Sequence, residues 1–153
     1  MSGIYFHIPF CKRICAYCDF FRSADTRSMS AVVRAMHDEL DEQSNFLSDR
    51  TVRTMYFGGG TPSLLHPSEL QLFIDHASEL FDCSHTVEIT VEANPDDVTA
   101  EYVAALRLTD VDRVSLGVQS FDDAELRFMN RRHTAAVARD AVARLQDAGI
   151  GNI

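Results

Sequence analysis

The order of strand-like and helix-like segments restricts this chain to few folds. Segments rich in β-branched and aromatic residues alternate with segments of helical, amphipathic spacing. The predicted strands cover residues 3–8, 51–57, 86–93 and 113–118. The predicted helices cover 28–47, Pro67 to Phe81, Thr99 to Leu108, and the stretch from a Thr134 cap to a Gly149 stop. Four successive β–α units predict an α/β fold with a parallel sheet, because each strand is followed by a helical crossover.

The predicted strands alternate apolar and polar residues, whereas strands of parallel sheets are usually continuous apolar runs. In the third strand, for example, Ile89 and Val91 alternate with Thr90 and Glu92. If helices cover the apolar faces, the polar faces share one enclosed side. The simplest geometry of this kind is a barrel, or part of one, with a polar interior.

Unusual residues follow all four strands. Three cysteines follow the first strand, residues 58–61 follow the second, and Glu92 and Gln119 lie near the ends of the third and fourth. Parallel strands bring these ends to one edge, where α/β folds bind ligands. A lone carboxylate at a strand end is more often paired with an arginine, and this alternative stays open for Glu92. The coincidence of four such features favours a ligand site.

The cysteines are the strongest chemical signal. The 153-residue chain has four, and three of them are Cys11, Cys15 and Cys18. No bilayer-spanning apolar run and no secretory signal is present, so the cytoplasm, where thiols stay reduced, is the expected location. A structural zinc site commonly has four ligands in two pairs; His7 could complete a set of four, but the two-plus-two spacing is missing. Three close thiolates also suit a [4Fe–4S] cluster with one open iron, so both metals remain candidates.

The spacing CxxxCxxC at residues 11–18 resembles the signature of the radical S-adenosylmethionine (SAM) family. YFGGGTPSLL, EITVEANPDD, RVSLGVQSFDD and NRRHTA follow in that order. Together they resemble the branch of oxygen-independent coproporphyrinogen III oxidases and the heme chaperone HemW. The resemblance implies a partial (β/α)6 radical SAM barrel. Residues 1–153 would supply about four of its six units, as the N-terminal part of the core domain, with the other units and a C-terminal domain outside the chain.

The resemblance also implies the cofactors and the residues that hold them. Cys11, Cys15 and Cys18 would ligate a [4Fe–4S] cluster whose open iron binds SAM, and the reduced cluster would cleave SAM to methionine and a 5′-deoxyadenosyl radical. The implied SAM contacts are Tyr5, Tyr17, Gly59, Gly60, Thr61, Glu92, Gln119 and Arg131. Cys83 lies far from this loop in the sequence and is expected to be an incidental thiol.

The residues after the third cysteine bear on the choice between oxidase and chaperone. The oxidases typically carry a further cysteine two positions on, whereas Asp19 and Phe20 follow Cys18 here. This favours a chaperone that binds heme and delivers it to target proteins; an oxidase and an inactive cluster-binding fragment are the alternatives. The implied partners are heme or a porphyrin, an electron donor and heme-accepting proteins. If the protein associates with a membrane, it does so without a membrane-spanning segment. The net charge of -9 argues against nucleic acid as a partner.

Overall fold

The computed structural model of the chain describes residues 2–46 and 48–153. Four parallel strands form one sheet in which neighbours along the chain are neighbours in space. The strands are β1 (Ser2–Ile8), β2 (Val52–Gly59), β3 (Glu88–Ala93) and β4 (Arg113–Leu116). The predicted α/β fold with a parallel sheet and four β–α units is confirmed.

The helices follow the strands as expected, with one addition. They are α1 (Met29–Glu42), α2 (Pro67–Leu80), α3 (Ala100–Leu106), α4 (Asp123–Phe128) and α5 (Ala135–Asp147). The Thr99 and Thr134 hydroxyls accept backbone hydrogen bonds at the starts of α3 and α5, as predicted. The sequence did not predict α4, because this six-residue helix buries Leu126 alone and so lacks an apolar stripe. Among the helices of the described residues, none is long and apolar enough to cross a bilayer.

The hydrophobic core lies between the sheet and helices α1, α2, α3 and α5. Phe57 of β2 is completely buried and stacks on Phe6 of β1 with ring centroids 4.6 Å apart. Phe73 of α2 packs against both rings at 5.0 and 6.2 Å. Val91 and Val114 continue this apolar layer across β3 and β4. The core fixes the sheet from one side and leaves its other face for the polar side chains.

Three predicted elements end at least two residues earlier than expected, and one of them is α3, which ends at Leu106 instead of Leu108. Helix α1 ends at Glu42, since the amides of Ser44 and Phe46 form tighter turns onto Asp41 and Gln43. The predicted end of that helix at Leu47 lies outside the described residues.

Strand β4 ends at Leu116 instead of Val118. The amides of Val118 and Ser120 each bond to the carbonyl two residues earlier, and Gln119 between them has φ +69°. These successive tight turns cannot continue a strand. They leave the polar side chain of Gln119 at the carboxyl end of the sheet.

Candidate functional site

A cavity of about 310 Å³ opens at the carboxyl ends of the four strands. This volume lies within the range of small-molecule sites in proteins. Every residue that the sequence analysis proposed for the site lines this cavity, with the exception of Tyr5. The structure therefore brings together ten of the eleven residues: Cys11, Cys15, Cys18, Tyr17, Gly59, Gly60, Thr61, Glu92, Gln119 and Arg131.

The three clustered cysteines lie on a loop, residues 9–23, which we call the cysteine loop. Its ends are joined, because Cys11 N–H donates to the Ser23 carbonyl at 2.9 Å and Ser23 N–H to the Pro9 carbonyl at 2.7 Å. His7 at the end of β1 donates from Nε2 to the Phe21 carbonyl at 3.1 Å. The side chain of His7 thus holds the exit of the loop.

The thiols occupy different environments within the cavity. Cys11 is 7% exposed, and burial raises the pKa of its thiol while a hydrogen bond from Thr61 opposes this effect. Thr61 Oγ1 donates to Cys11 Sγ at 3.4 Å, and Arg131 donates to Cys15 Sγ at 3.3 Å. Within residues 2–46 and 48–153, no three His, Cys, Asp or Glu side chains are arranged to hold a single metal ion.

The glycines after β2 bring the sheet edge against the cysteine loop. A Cβ atom on Gly60 would lie 2.7 Å from the Phe10 carbonyl oxygen and 3.0 Å from Cys11 Sγ. Gly59 has φ +108°, a conformation that residues with a side chain rarely adopt. Both glycines were predicted to contact SAM. The structure adds that Gly60 is needed for packing of the cysteine loop itself.

Glu92 is held by hydrogen bonds on the polar face of the sheet. Its carboxylate accepts from the Tyr56 hydroxyl at 2.7 Å and from Gly59 N–H at 3.2 Å. Among the ion pairs of the described residues none includes Glu92, so the arginine alternative does not hold there. Tyr5 lies beside the cavity, with its ring 5.9 Å from that of Tyr56. The pKa of Tyr5 is raised mainly by burial of its side chain and to a smaller extent by the negative charge of Glu92.

Asn94 connects two predicted site residues and was missed by the sequence analysis. Its Nδ2 donates to Thr61 Oγ1 at 3.2 Å, and its Oδ1 accepts from Arg131 at 2.6 Å. Arg131 also donates to the Gly117 carbonyl at 2.6 Å, next to the turn that carries Gln119. A signal for Asn94 was available, because it directly follows β3 at the same edge of the sheet as Glu92.

Arginines give the cavity local positive charge in a chain of net charge -9. Arg13, Arg22 and Arg131 all line it, and the first two were also missed. Arg22 donates to the backbone carbonyls of Cys18 and Phe20 and so holds the second half of the cysteine loop. Guanidinium groups recognise anions, and the carboxylate of Glu92 recognises a cation or a hydroxyl group. The cavity can therefore hold a ligand that carries both kinds of group.

Comparison with known proteins identifies the family. The model of the Radical SAM superfamily matches residues 5–153. This chain belongs to the radical SAM superfamily. Membership implies a [4Fe–4S] cluster and SAM as cofactors, and the set of thiols, arginines and Glu92 around one cavity fits both. The predicted resemblance to this family is thereby confirmed.

The relatives include both classes that the motifs suggested. Heme chaperone HemW of Lactococcus lactis is 41% identical over 99% of this chain and 39% of its own length. Heme chaperone HemW of Escherichia coli is 34% identical over 97% of this chain and 40% of its own length. The oxygen-independent coproporphyrinogen III oxidase of Bradyrhizobium diazoefficiens is also 34% identical, over 99% of this chain and 34% of its own length. The chain spans at most about two fifths of the length of these three relatives.

A solved structure supports the fold. Coproporphyrinogen III oxidase (HemN) from Escherichia coli, described as a radical SAM enzyme, superimposes with a TM-score of 0.84 at 24% identity. The match covers 97% of this chain and 35% of that chain. The predicted fold class, a partial radical SAM barrel of about four β–α units, is therefore confirmed.

Proposed function

We propose that Cys11, Cys15 and Cys18 hold a [4Fe–4S] cluster with one iron free of protein ligands. The observation that carries this proposal is that the three thiols and three arginines line one cavity. Thiolates are the usual ligands of such clusters. Guanidinium groups nearby offset the negative charge that three thiolates bring into a partly buried site.

The residues opposite the cysteine loop suit SAM. Gly59, Gly60, Thr61 and Glu92 line the cavity at the strand ends. The Glu92 carboxylate accepts two hydrogen bonds within the protein and has lone pairs left to accept others from a ligand. Gln119 and Arg131 offer polar groups on the far side of the cavity, and Tyr17 and Tyr5 flank it. When bound, the cluster supplies one-electron reduction of SAM. The protein residues orient SAM and exclude water from it.

For the whole protein we infer a heme chaperone of the HemW kind, located in the cytoplasm. HemW relatives match nearly all of this chain, and Asp19 and Phe20 stand where the oxidases carry an additional cysteine. The four cysteines are free thiols, consistent with a reducing compartment. In this proposal residues 1–153 supply the cluster-binding part of the core. Heme, an electron donor and heme-accepting proteins are its partners.

An oxygen-independent coproporphyrinogen III oxidase is the second candidate, because such an enzyme matches 99% of the chain at 34% identity. The test uses the complete gene product, reconstituted anaerobically with iron and sulfide, and supplied with SAM, a reductant and coproporphyrinogen III. The chaperone proposal predicts stable heme binding and no protoporphyrinogen IX. Accumulation of protoporphyrinogen IX over many turnovers would overturn it in favour of the oxidase. An intact cluster with neither heme binding nor product would overturn both candidates and leave a SAM-cluster protein with a different task.

A further inference from the structure

Asp97 is a buried carboxylate behind the cavity. It ends the short 3₁₀ turn after β3, and its side chain is 2% exposed. Lys12 Nζ donates to Oδ1 at 2.6 Å, and the Ser63 hydroxyl, itself on a residue 6% exposed, donates to Oδ2 at 3.0 Å. A buried carboxylate is tolerated when its oxygens are paired in this way. Both oxygens have a partner, so the position of Asp97 is fixed relative to two other segments.

The partners of Asp97 come from three separate segments around the site. Arg132 NH1 approaches Oδ1 at 3.8 Å, while its NH2 pairs with Asp96. Each partner lies one or two residues from a predicted site residue. These pairs are Lys12 with Cys11, Ser63 with Thr61, and Arg132 with Arg131. One carboxylate thus joins the cysteine loop, the segment after β2 and the segment after α4.

We infer that Asp97 is a positioning residue, which holds the start of the cysteine loop against the sheet edge through Lys12. The consequence for cofactor binding rests on the function proposed above, but the contact itself does not. The side chain of Lys12 is 47% exposed and would otherwise move freely in solvent. Its pairing with a buried carboxylate restricts the residue that directly follows Cys11. When Asp97 or Lys12 loses its charge, the loop should open more often and expose Cys11.

The test measures alkylation of Cys11 in the reduced, metal-free chain, with peptide mass spectrometry to separate the four cysteines. The variants are Lys12→Met and Asp97→Asn, and Asp25→Asn is the control. Asp25 lies just after the cysteine loop and pairs with Arg27 in an ion pair that is largely exposed, so its loss should change little. Cys83, outside this network, serves as the internal reference for overall unfolding.

We expect both variants to raise the alkylation rate of Cys11 on the order of tenfold, the effect of losing one charged hydrogen bond. The rates of Cys83 and of the Asp25→Asn control should stay within about twofold of the original. The two variants change the local charge in opposite directions, so a shared increase reports loop opening and not thiol ionisation. No increase, or an increase in one variant alone, would overturn the inference. An equal increase at Cys83 would do the same, because it would report general unfolding.

A second measurement connects Asp97 to the cofactors. After reconstitution, the cluster of both variants should lose iron to a chelator about tenfold faster than that of the original chain. If the original chain takes up no iron while the alkylation results hold, the proposed function fails and the positioning role stands. If the original chain takes up four irons and the variants match it in both assays, the positioning role fails alone.

Discussion

The two faces of the sheet are built from the same strands but have different roles, one in stability and the other in ligand binding. On the face covered by helices, Phe57 and Val91 are completely buried. On the other face, Tyr56 and Glu92 are half-buried and joined by a 2.7 Å hydrogen bond. Alternation along each strand places these residues side by side in sequence and on opposite faces in space. Stability and ligand binding can therefore be changed separately by substitutions one residue apart.

The largest expected effect is on the apolar face. Phe57→Ala should lower the free energy of unfolding by about 3–5 kcal/mol, because it leaves a cavity beside the Phe6 and Phe73 rings. Urea denaturation of the metal-free chain measures it. Phe128→Ala is the matched control, since this ring is 86% exposed, and its effect should be within about 0.5 kcal/mol. Similar losses in the two variants would contradict the division between the faces.

On the polar face we expect a substitution to change stability less and SAM binding more. Glu92→Gln should leave the free energy of unfolding within about 1 kcal/mol, because the amide oxygen still accepts one hydrogen bond. Its SAM affinity, measured by equilibrium dialysis of the reconstituted chain, should fall about tenfold. Glu88→Gln is the control, on the same face of β3 but with no part in lining the cavity. Equal SAM affinity in the two variants would remove Glu92 from the site.

The smallest expected effect is a pH dependence of the free energy of unfolding, to which one histidine on each side of the sheet contributes. His37 stacks on Phe73 in the helical layer with centroids 4.0 Å apart, and His133 donates to the Val118 carbonyl beside the cavity. Burial lowers the pKa of both imidazoles. The unfolded chain then takes up protons at a higher pH than the folded chain. Stability is therefore fully present above the ordinary histidine pKa and falls as pH decreases through it toward the folded values.

NMR titration of the imidazole protons measures these pKa values directly, and urea denaturation between pH 5 and pH 8 measures the stability. Both histidines should titrate below the ordinary value of about 6.5. A folded pKa above that value for either residue would reverse the sign of its contribution. It would show that the side chain is paired with an anion instead of being desolvated.

Much of the site was predictable, because its residues follow strand ends or match a short, specific pattern. Cys11, Glu92 and Gly60 were identified from sequence, and the structure places all three around one cavity. Asp97 was not, because a carboxylate after a strand gives no indication of burial, which here depends on Lys12 and Ser63 from distant segments. Long-range pairings of this kind are set by the tertiary fold.

Backbone conformation was the other gap. The sequence RVSLGV suggested a strand through Val118, yet β4 ends two residues earlier. The Leu116 and Val118 carbonyls accept hydrogen bonds from the amides of Val118 and Ser120. These local hydrogen bonds compete with the pairing of β4 to its neighbour. Local apolar alternation cannot decide this competition. The consequence is functional, since the turn sets the position of Gln119 at the cavity.

The most direct test of the account is the iron content of four single variants, Cys11→Ala, Cys15→Ala, Cys18→Ala and Cys83→Ala. Each is reconstituted anaerobically with iron and sulfide and compared with the original chain by iron analysis, visible absorbance and EPR after reduction. We expect the first three variants to lose the [4Fe–4S] signal. We expect Cys83→Ala to retain it, because Cys83 does not line the cavity. Four irons and full absorbance in any of the first three variants would contradict the cluster assignment.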